Sequence, residues 1–357
     1  MYEAITIKDI ARALGLSTST VSRALRGSHE ISSETKKLVI EYAEEFNYRP
    51  NPIALSLKER RSRSIGVVVC EIANNFFSQA INGIESIAYN CGYHVIISQS
   101  HESYDREIVN VEHLASRSVD GLLVSLSAET NQVDHFRKLH DKGFPIVFFD
   151  RVTDEIETHK VVADNYKGAY DATKHLIDAG YKKIAHLSSA AHLSISIERM
   201  NGYKTALADH GIPFNNAYVK NCDHGGMIYK ELENAIKSLL QLKDKPEAIF
   251  SAGDRLTVSS LQALKALGMQ VPEDIALAGF ANTPLVDLLS PGLTAVKQPA
   301  FEMGQRATEL LIKLIESKRP VTEFERVLLP TELIVRASSQ PKSTKAATAK
   351  TKKPVAK

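Results

Sequence analysis

From Ile65 onward, short apolar runs alternate with longer amphipathic segments. The runs are Ile65–Cys70, His94–Ile97, Gly121–Leu126, Ile146–Phe149, Lys183–Leu187, Ala248–Phe250 and Ile275–Phe280. A strand covered on both faces reads as a continuous apolar run, because neither face meets water. Alternation with helical segments is the βαβ signature of parallel sheets wrapped in helices. Seven runs are too many for one small sheet, so the pattern predicts two similar lobes. Ligands of such sheets bind beyond the carboxyl ends of the strands.

The first 47 residues follow a different pattern, three short helices with no strand. Thr6 followed by Asp9 resembles a capping box with Asp in place of Glu. Ile7, Ile10, Ala11 and Leu14 then repeat at helical spacing, and Gly15 stops the helix. Ser17 is placed to cap a second helix carrying Val21 and Leu25, which ends at Gly27. Ser32 caps a third, with Leu38, Val39, Tyr42, Ala43 and Phe46 on its inner side. Residues 49 to 63 read as a connector with a short helical stretch.

Composition narrows the class. The chain has 357 residues, 43% hydrophobic and 24% charged, with a net charge of +2. Overall charge therefore says little about partners, and nucleic-acid binding would have to come from local placement of Lys and Arg. Cys70, Cys91 and Cys222 are widely spaced, which argues against a metal site or disulfide framework and fits a reducing cytosol. No basic segment followed by an apolar run opens the chain, and no stretch is apolar for long enough to span a bilayer. The expectation is a cytoplasmic protein. Residues 339–357 are almost entirely Ser, Thr, Ala, Pro and Lys, a basic tail expected to be disordered. Its lysines could add sequence-independent attraction to DNA, or merely solubilise the chain.

Two helices that cross steeply through a tight turn need a small residue in the first helix, Gly in the turn and a branched apolar residue in the second. Ala11, Gly15 and Val21 meet these needs. The exposed front of the second helix is then Thr18, Ser19, Ser22 and Arg23, which can bond base edges in the major groove. The plain alternative is a small helical bundle with solvated Ser and Thr.

The string from Thr6 to Gly27, TIKDIARALGLSTSTVSRALRG, resembles the headpiece of the lactose-repressor (LacI/GalR) family, and so does FNYRPNP from Phe46. The resemblance continues through Ser64–Val69, Asp150-Arg151, Asp164-Asn165, Arg199 with Gly202-Tyr203, Gly279-Phe280, Leu293–Pro299 and Leu333–Ser338. It covers about residues 5 to 338. It implies an α/β chain with an all-α helix-turn-helix headpiece (1–50), a hinge helix and linker (51–63), and a two-lobed periplasmic-binding-protein-like core of doubly wound parallel sheets (64–338). The implied function is a repressor that binds double-stranded operator DNA as a homodimer under control of a small-molecule effector, a sugar or sugar derivative. No cofactor or metal is implied.

On that resemblance the DNA-binding residues are Thr6, Thr18, Ser19, Thr20, Ser22, Arg23, Arg26, His29, Asn51 and Leu57. Leu57 matches the hinge leucine that wedges into a base step, and Leu55 stands where many members carry Arg. The effector-binding positions are Asn75, Phe76, Phe77, Asp150, Arg151, Asp164, Arg199, His224, Asp254 and Gln298. Plain alternatives stand beside them: Asp164 and Asp254 as helix caps, Phe76 and Phe77 as core, Arg199 on a helix surface, His224 in a loop. Ala281 occupies the place where the family often has an Asp that bonds ligand hydroxyls. Leu193 and Ile195 replace polar contacts of some members. Arg199 without a nearby acid would favour a carboxylate or phosphate on the ligand.

Three rivals remain: a purine- or nucleoside-responsive regulator of the same family, a solute-binding protein, and an α/β enzyme. A solute-binding protein would need a signal peptide and no headpiece. The sequence shows no nucleophile elbow, P-loop or metal-ligand cluster for an enzyme.

Overall fold

The computed structural model describes residues 5–48, 61–116 and 119–340. It divides into two units, Met1–Arg63 and Ser64–Lys357.

The first unit holds α1 (Ile7–Leu14), α2 (Thr18–Leu25) and α3 (Ser33–Glu45). The Asp9 carboxylate accepts the Thr6 amide (3.0 Å) and its hydroxyl (2.6 Å), and these bonds lower the Asp9 pKa. The Asp half of the capping box thus forms, while the Thr6 hydroxyl donates to the carboxylate. Gly15 turns the chain at φ +64, a left-handed conformation that costs glycine little. Ser17 accepts from the Thr20 amide and Ser32 from the Thr35 amide. Ile10, Ala11, Val21, Ala24, Val39 and Ala43 form the core. Leu38 and Phe46, placed on the inner side by sequence, are 49% and 48% exposed. The core is centred on Val39 and Ala43, and Leu38 lies about 100° around the helix from Val39. Phe46 follows the last helical turn and packs on Tyr42, ring centroids 4.6 Å apart.

The second unit contains two six-stranded sheets. Its elements are β1 (Ser64–Val69), α4 (Asn75–Asn90), β2 (His94–Gln99), α5 (Tyr104–Ser116), β3 (Leu122–Val124), α6 (Asp134–His140), β4 (Ile146–Phe149), β5 (Lys160–Ala163), α7 (Asn165–Asp178), β6 (Ile184–Ser188), α8 (Ser194–Asp209), β7 (Val219–Asn221), α9 (Tyr229–Leu240), β8 (Ala248–Ser251), α10 (Asp254–Ala266), β9 (Ala276–Phe280), β10 (Thr294–Lys297), α11 (Ala300–Glu316), β11 (Arg326–Leu329) and β12 (Glu332–Ile334). The strand orders are β11-β5-β4-β3-β1-β2 and β12-β10-β9-β8-β6-β7. All pairings are parallel except β10 with β12. The chain crosses between lobes after β5, after β10 and between β11 and β12.

Period-2 alternation splits each sheet between two cores. In the first lobe Val67, Leu123, Val147 and Phe149 face α4 and α11, while Val68, Leu122, Val124 and Phe148 face α5 and α6. In the second, Leu187, Ile249 and Leu277 face α9 and α10, while Ile184, Phe250 and Phe280 face α7 and α8. Both sheets are therefore doubly wound. Helices α4 and α11 cross backbone to backbone: a Cβ added to Gly304 would lie 2.0 Å from the Ala80 carbonyl oxygen. All seven apolar runs contain or overlap strands.

Candidate functional site

The strand ends of the two lobes face one another across a cleft. Cys70 and Glu71 follow β1, Asp150 and Arg151 follow β4, Ser189 follows β6, Ala252 and Asp254 follow β8, and Gln298 follows β10. All line one cavity of about 50 Å³, counted as space open to the centres of water molecules. Phe76, Phe77, Glu102, Ile195, Arg199 and Arg255 also line it. The cleft is closed by contacts between lobes. Glu71 pairs with Arg255, and Arg326 with Glu198 at 3.2 Å. The Val152 amide donates to the Ser194 hydroxyl at 3.3 Å. Ala128 packs against Ala190, Leu193 and Ile195, so the two apolar replacements serve the lobe contact.

Arg199 is 2% exposed and belongs to the cavity rather than to a helix surface. Its Nε donates to Asn165 (2.9 Å) and its Nη1 to the Ala252 carbonyl (2.9 Å); Nη2 has no hydrogen bond among the described residues. Burial lowers its pKa to about 10, opposed by the nearby Asp150 charge. Asp150 is buried and Asp254 half-buried, and both carboxyl pKa values are raised, chiefly by desolvation. Asp254 spends one oxygen on the Asn282 amide at 2.7 Å. The neighbouring Glu198 is taken by Arg326 and Asn165, and the fold brings two further acids beside Arg199 from far in the sequence, because β4 and β8 end on opposite sides of the same cleft. Gln298 Nε2 is buried next to the Asp150 carboxylate but makes no well-aligned hydrogen bond among the described residues.

Arg151 is matched at both ends of its fork, with Nε left buried and without a hydrogen bond among the described residues. Its Nη1 and Nη2 donate to the two Glu102 oxygens at 2.6 and 3.0 Å, and Nη1 also reaches Cys70 Sγ and the Leu126 carbonyl. Glu102 has no motif to announce it. It sits in the β2–α5 loop, 49 residues from its partner.

Three sequence-selected positions fall outside this cavity. Asp164 caps α7 by accepting the Lys167 amide (2.9 Å) and faces a separate surface hollow. Asn75 begins α4 behind Phe76. His224 lies in the β7–α9 loop, its side chain 42% exposed and its ring 3.5 Å from Glu231. Phe76 and Phe77 are both core and cavity wall, in an edge-to-face pair 5.2 Å apart. Ala281 is core, and the neighbouring Asn282 is bound to Gln79 and Gln298 rather than lining the cavity.

In the first unit, Thr18, Ser19, Arg23, Arg26 and His29 are exposed, and Thr20 and Ser22 partly so. Arg23 pairs with Glu30 at 3.0 Å, and Arg26 bonds back to Ser22. Thr6 is exposed at the start of α1. Asn51, Leu55 and Leu57, like the tail lysines, lie outside the described residues.

Residues 6–51 match the family described as bacterial regulatory proteins, lacI family, and residues 173–339 match a periplasmic binding protein-like domain. The HTH-type transcriptional repressor PurR of Vibrio vulnificus is 34% identical, covering 93% of this chain and 97% of that protein. The ribose operon repressor of Haemophilus influenzae is 32% identical, covering 93% and 98%. The chain belongs to the LacI family. A solved LacI family regulator from Enterococcus faecium with bound ribose is 28% identical, covers 78% of this chain and all of that one, and superposes with a TM-score of 0.68. The chain is accordingly a DNA-binding transcription regulator under effector control, and its relatives are repressors rather than enzymes. Among the described residues no helix is long and apolar enough to cross a membrane.

Proposed function

We propose that this regulator represses transcription in the cytoplasm as a homodimer on operator DNA, and that its effector is a neutral monosaccharide of about pentose size. In this reading the α2 front formed by Thr18, Ser19, Thr20, Ser22 and Arg23 reads bases. Thr6, Arg26, His29 and Asn51 hold the backbone, and Leu57 wedges into a base step.

The observation that carries the effector reading is the pair of carboxylates on the cavity wall, Asp150 and Asp254, beside Arg199, with Gln298 Nε2 buried next to Asp150 without a well-aligned bond. Vicinal hydroxyls donate to the carboxylates and accept from Arg199 Nη2 and Gln298. The apolar face of a sugar ring packs on Phe76. A phosphate would meet both acids. The cavity, at roughly 10–15 Å³ per water on this measure, has room for about four waters, which favours a small ligand over a disaccharide and requires the lobes to part somewhat even for a pentose. The ribose named for one relative and one solved neighbour agrees with that size.

Calorimetric titration with D-ribose, other neutral monosaccharides and purine bases tests the reading. Binding of a neutral pentose supports it. Binding of a purine base with no response to any neutral sugar overturns it in favour of a purine-responsive regulator.

A further inference from the structure

We infer that Glu102 sets the charge preference of the effector cavity: by holding both ends of the Arg151 fork it withdraws that arginine from ligand recognition and turns anionic ligands away. The inference builds on the effector-site reading above but concerns a residue that no motif singles out.

The ion pair is built rather than incidental. Side chains of Arg151 and Glu102 are 10% and 6% exposed, and two parallel N–H···O bonds join them. A bidentate guanidinium–carboxylate pair is strong and geometrically specific. Glu102 is fixed further by the Ala128 amide at 2.8 Å. The loop presenting it holds two successive non-glycine residues in the left-handed region, His101 at φ +51 and Glu102 at φ +64. Such conformations cost free energy and persist where the surroundings demand them. Burial opposes ionisation of Glu102, yet the Arg151 charge and hydrogen bonds hold its carboxyl below the ordinary range. The second lobe closes over the pair, for a Cβ built on Gly225 would lie 3.5 Å from Glu102 Oε1.

Consider the charges that a ligand meets. Arg255 is taken by Glu71 and Arg151 by Glu102, leaving Arg199 against Asp150 and Asp254. An incoming phosphate or carboxylate finds one cation and two acids. Without the Glu102 charge, Arg151 loses its bidentate partner and keeps only Cys70 Sγ, the Leu126 carbonyl and the Asp150 charge that it would then share with Arg199. A buried charge short of partners is costly, and an anionic ligand would relieve it.

The test uses the full-length protein and three probes: D-ribose, D-ribose 5-phosphate and inorganic phosphate. Wild type is expected to ignore inorganic phosphate and to bind the neutral sugar in preference to its phosphate ester. Glu102→Gln and Glu102→Ala are both expected to gain a phosphate-dependent rise in melting temperature. They should also shift the ester-to-sugar affinity ratio toward the ester by on the order of tenfold or more. Glu102→Asp, which disturbs the geometry but keeps the charge, should show neither change. The inference falls if the neutral variants melt cooperatively yet ignore phosphate, or if Glu102→Asp gains phosphate binding equally. If no variant or wild type binds ribose, the sugar reading fails, while the phosphate response still decides the role of Glu102.

Discussion

The Arg199 guanidinium lies flat over the Phe280 ring, its central carbon 3.8 Å from the ring centroid. The ring covers one face of the cation, and Asn165 and Ala252 take its inner N–H groups. The remaining Nη2 is thereby aimed without freedom to wander, which reduces the entropy lost on binding. Arg199→Ala should weaken effector binding by at least an order of magnitude, about 1.4 kcal/mol or more. Arg199→Lys should do nearly as badly, because a point charge cannot keep the stacked fork. Calorimetry with the neutral sugar reads both. Unchanged affinity in Arg199→Ala would remove the arginine from the site.

Arg23 and Glu30 are each about half exposed and pair at 3.0 Å. An exposed pair of this kind is worth about 0–1 kcal/mol, so α2 can exchange Glu30 for a guanine edge at little cost. Arg23→Ala should lose about 1–3 kcal/mol on the specific operator and much less on random DNA. Glu30→Gln should bind the operator as well as or better than wild type, since a competing carboxylate is gone. Fluorescence anisotropy on both DNAs measures the two. Equal loss on operator and random DNA would reduce Arg23 to a phosphate contact.

The headpiece and the doubly wound core were legible in the sequence because their signals are local. Ser17 and Ser32 cap the next helices, and Gly15 supplies a left-handed turn. Runs buried on both faces give unbroken apolar strands. Five of the described strands are absent from that list: β7 is Val-Lys-Asn at a sheet edge, β11 and β12 have exposed positions, and β5 and β10 are buried four-residue strands that begin or end on Lys. At the cavity, Phe76, Asp150, Arg199 and Gln298 could be placed through the family pattern. Their partners could not. Glu102 meets Arg151, and Asp150 meets Arg199, only after residues far apart in sequence reach one cleft.

His186 is buried in the second lobe, stacked on Tyr203 with centroids 4.9 Å apart, and neither ring nitrogen has a hydrogen-bond partner. Burial, with Arg199 nearby, lowers its pKa to about 3. The unfolded chain takes up this proton near pH 6.5, and the folded one does so only near pH 3. Above 6.5 both states are neutral and the residue adds no pH dependence. Below it the unfolded state gains a proton that the fold excludes, so stability falls by about 1.4 kcal/mol per pH unit until the folded pKa is reached. His159 and His175 share the direction, so the informative quantity is a difference. Across pH 7 to 5 in urea denaturation, His186→Phe should lose less stability than wild type. Parallel curves would show that His186 does not drive the acid limb.

Asn282 sits where the second lobe meets the crossover, and every bond it makes is to protein. Its amide donates to Asp254, its Nδ2 to the Gln298 carbonyl (2.8 Å) and to Gln79 Oε1 (3.2 Å), and its Oδ1 accepts the Gln298 amide (3.2 Å). Gln79, on α4 of the first lobe, returns a bond to the Asn282 carbonyl at 2.8 Å. One side chain therefore joins a cavity wall, a crossover strand and the opposite lobe. Asn282→Ala strands the Gln298 amide in a buried place, while the Gln298 carbonyl keeps the Ala300 amide (2.8 Å), a loss of about 1–3 kcal/mol in stability. Because Asn282 is not on the cavity wall, its effect on the effector should come through lobe closure. Sugar affinity should fall while discrimination between the neutral sugar and its phosphate ester stays as in wild type. If Asn282→Ala instead alters that discrimination with affinity for ribose intact, Asn282 contacts ligand and the closure role is wrong. Calorimetry with both sugars, alongside urea denaturation, separates the two.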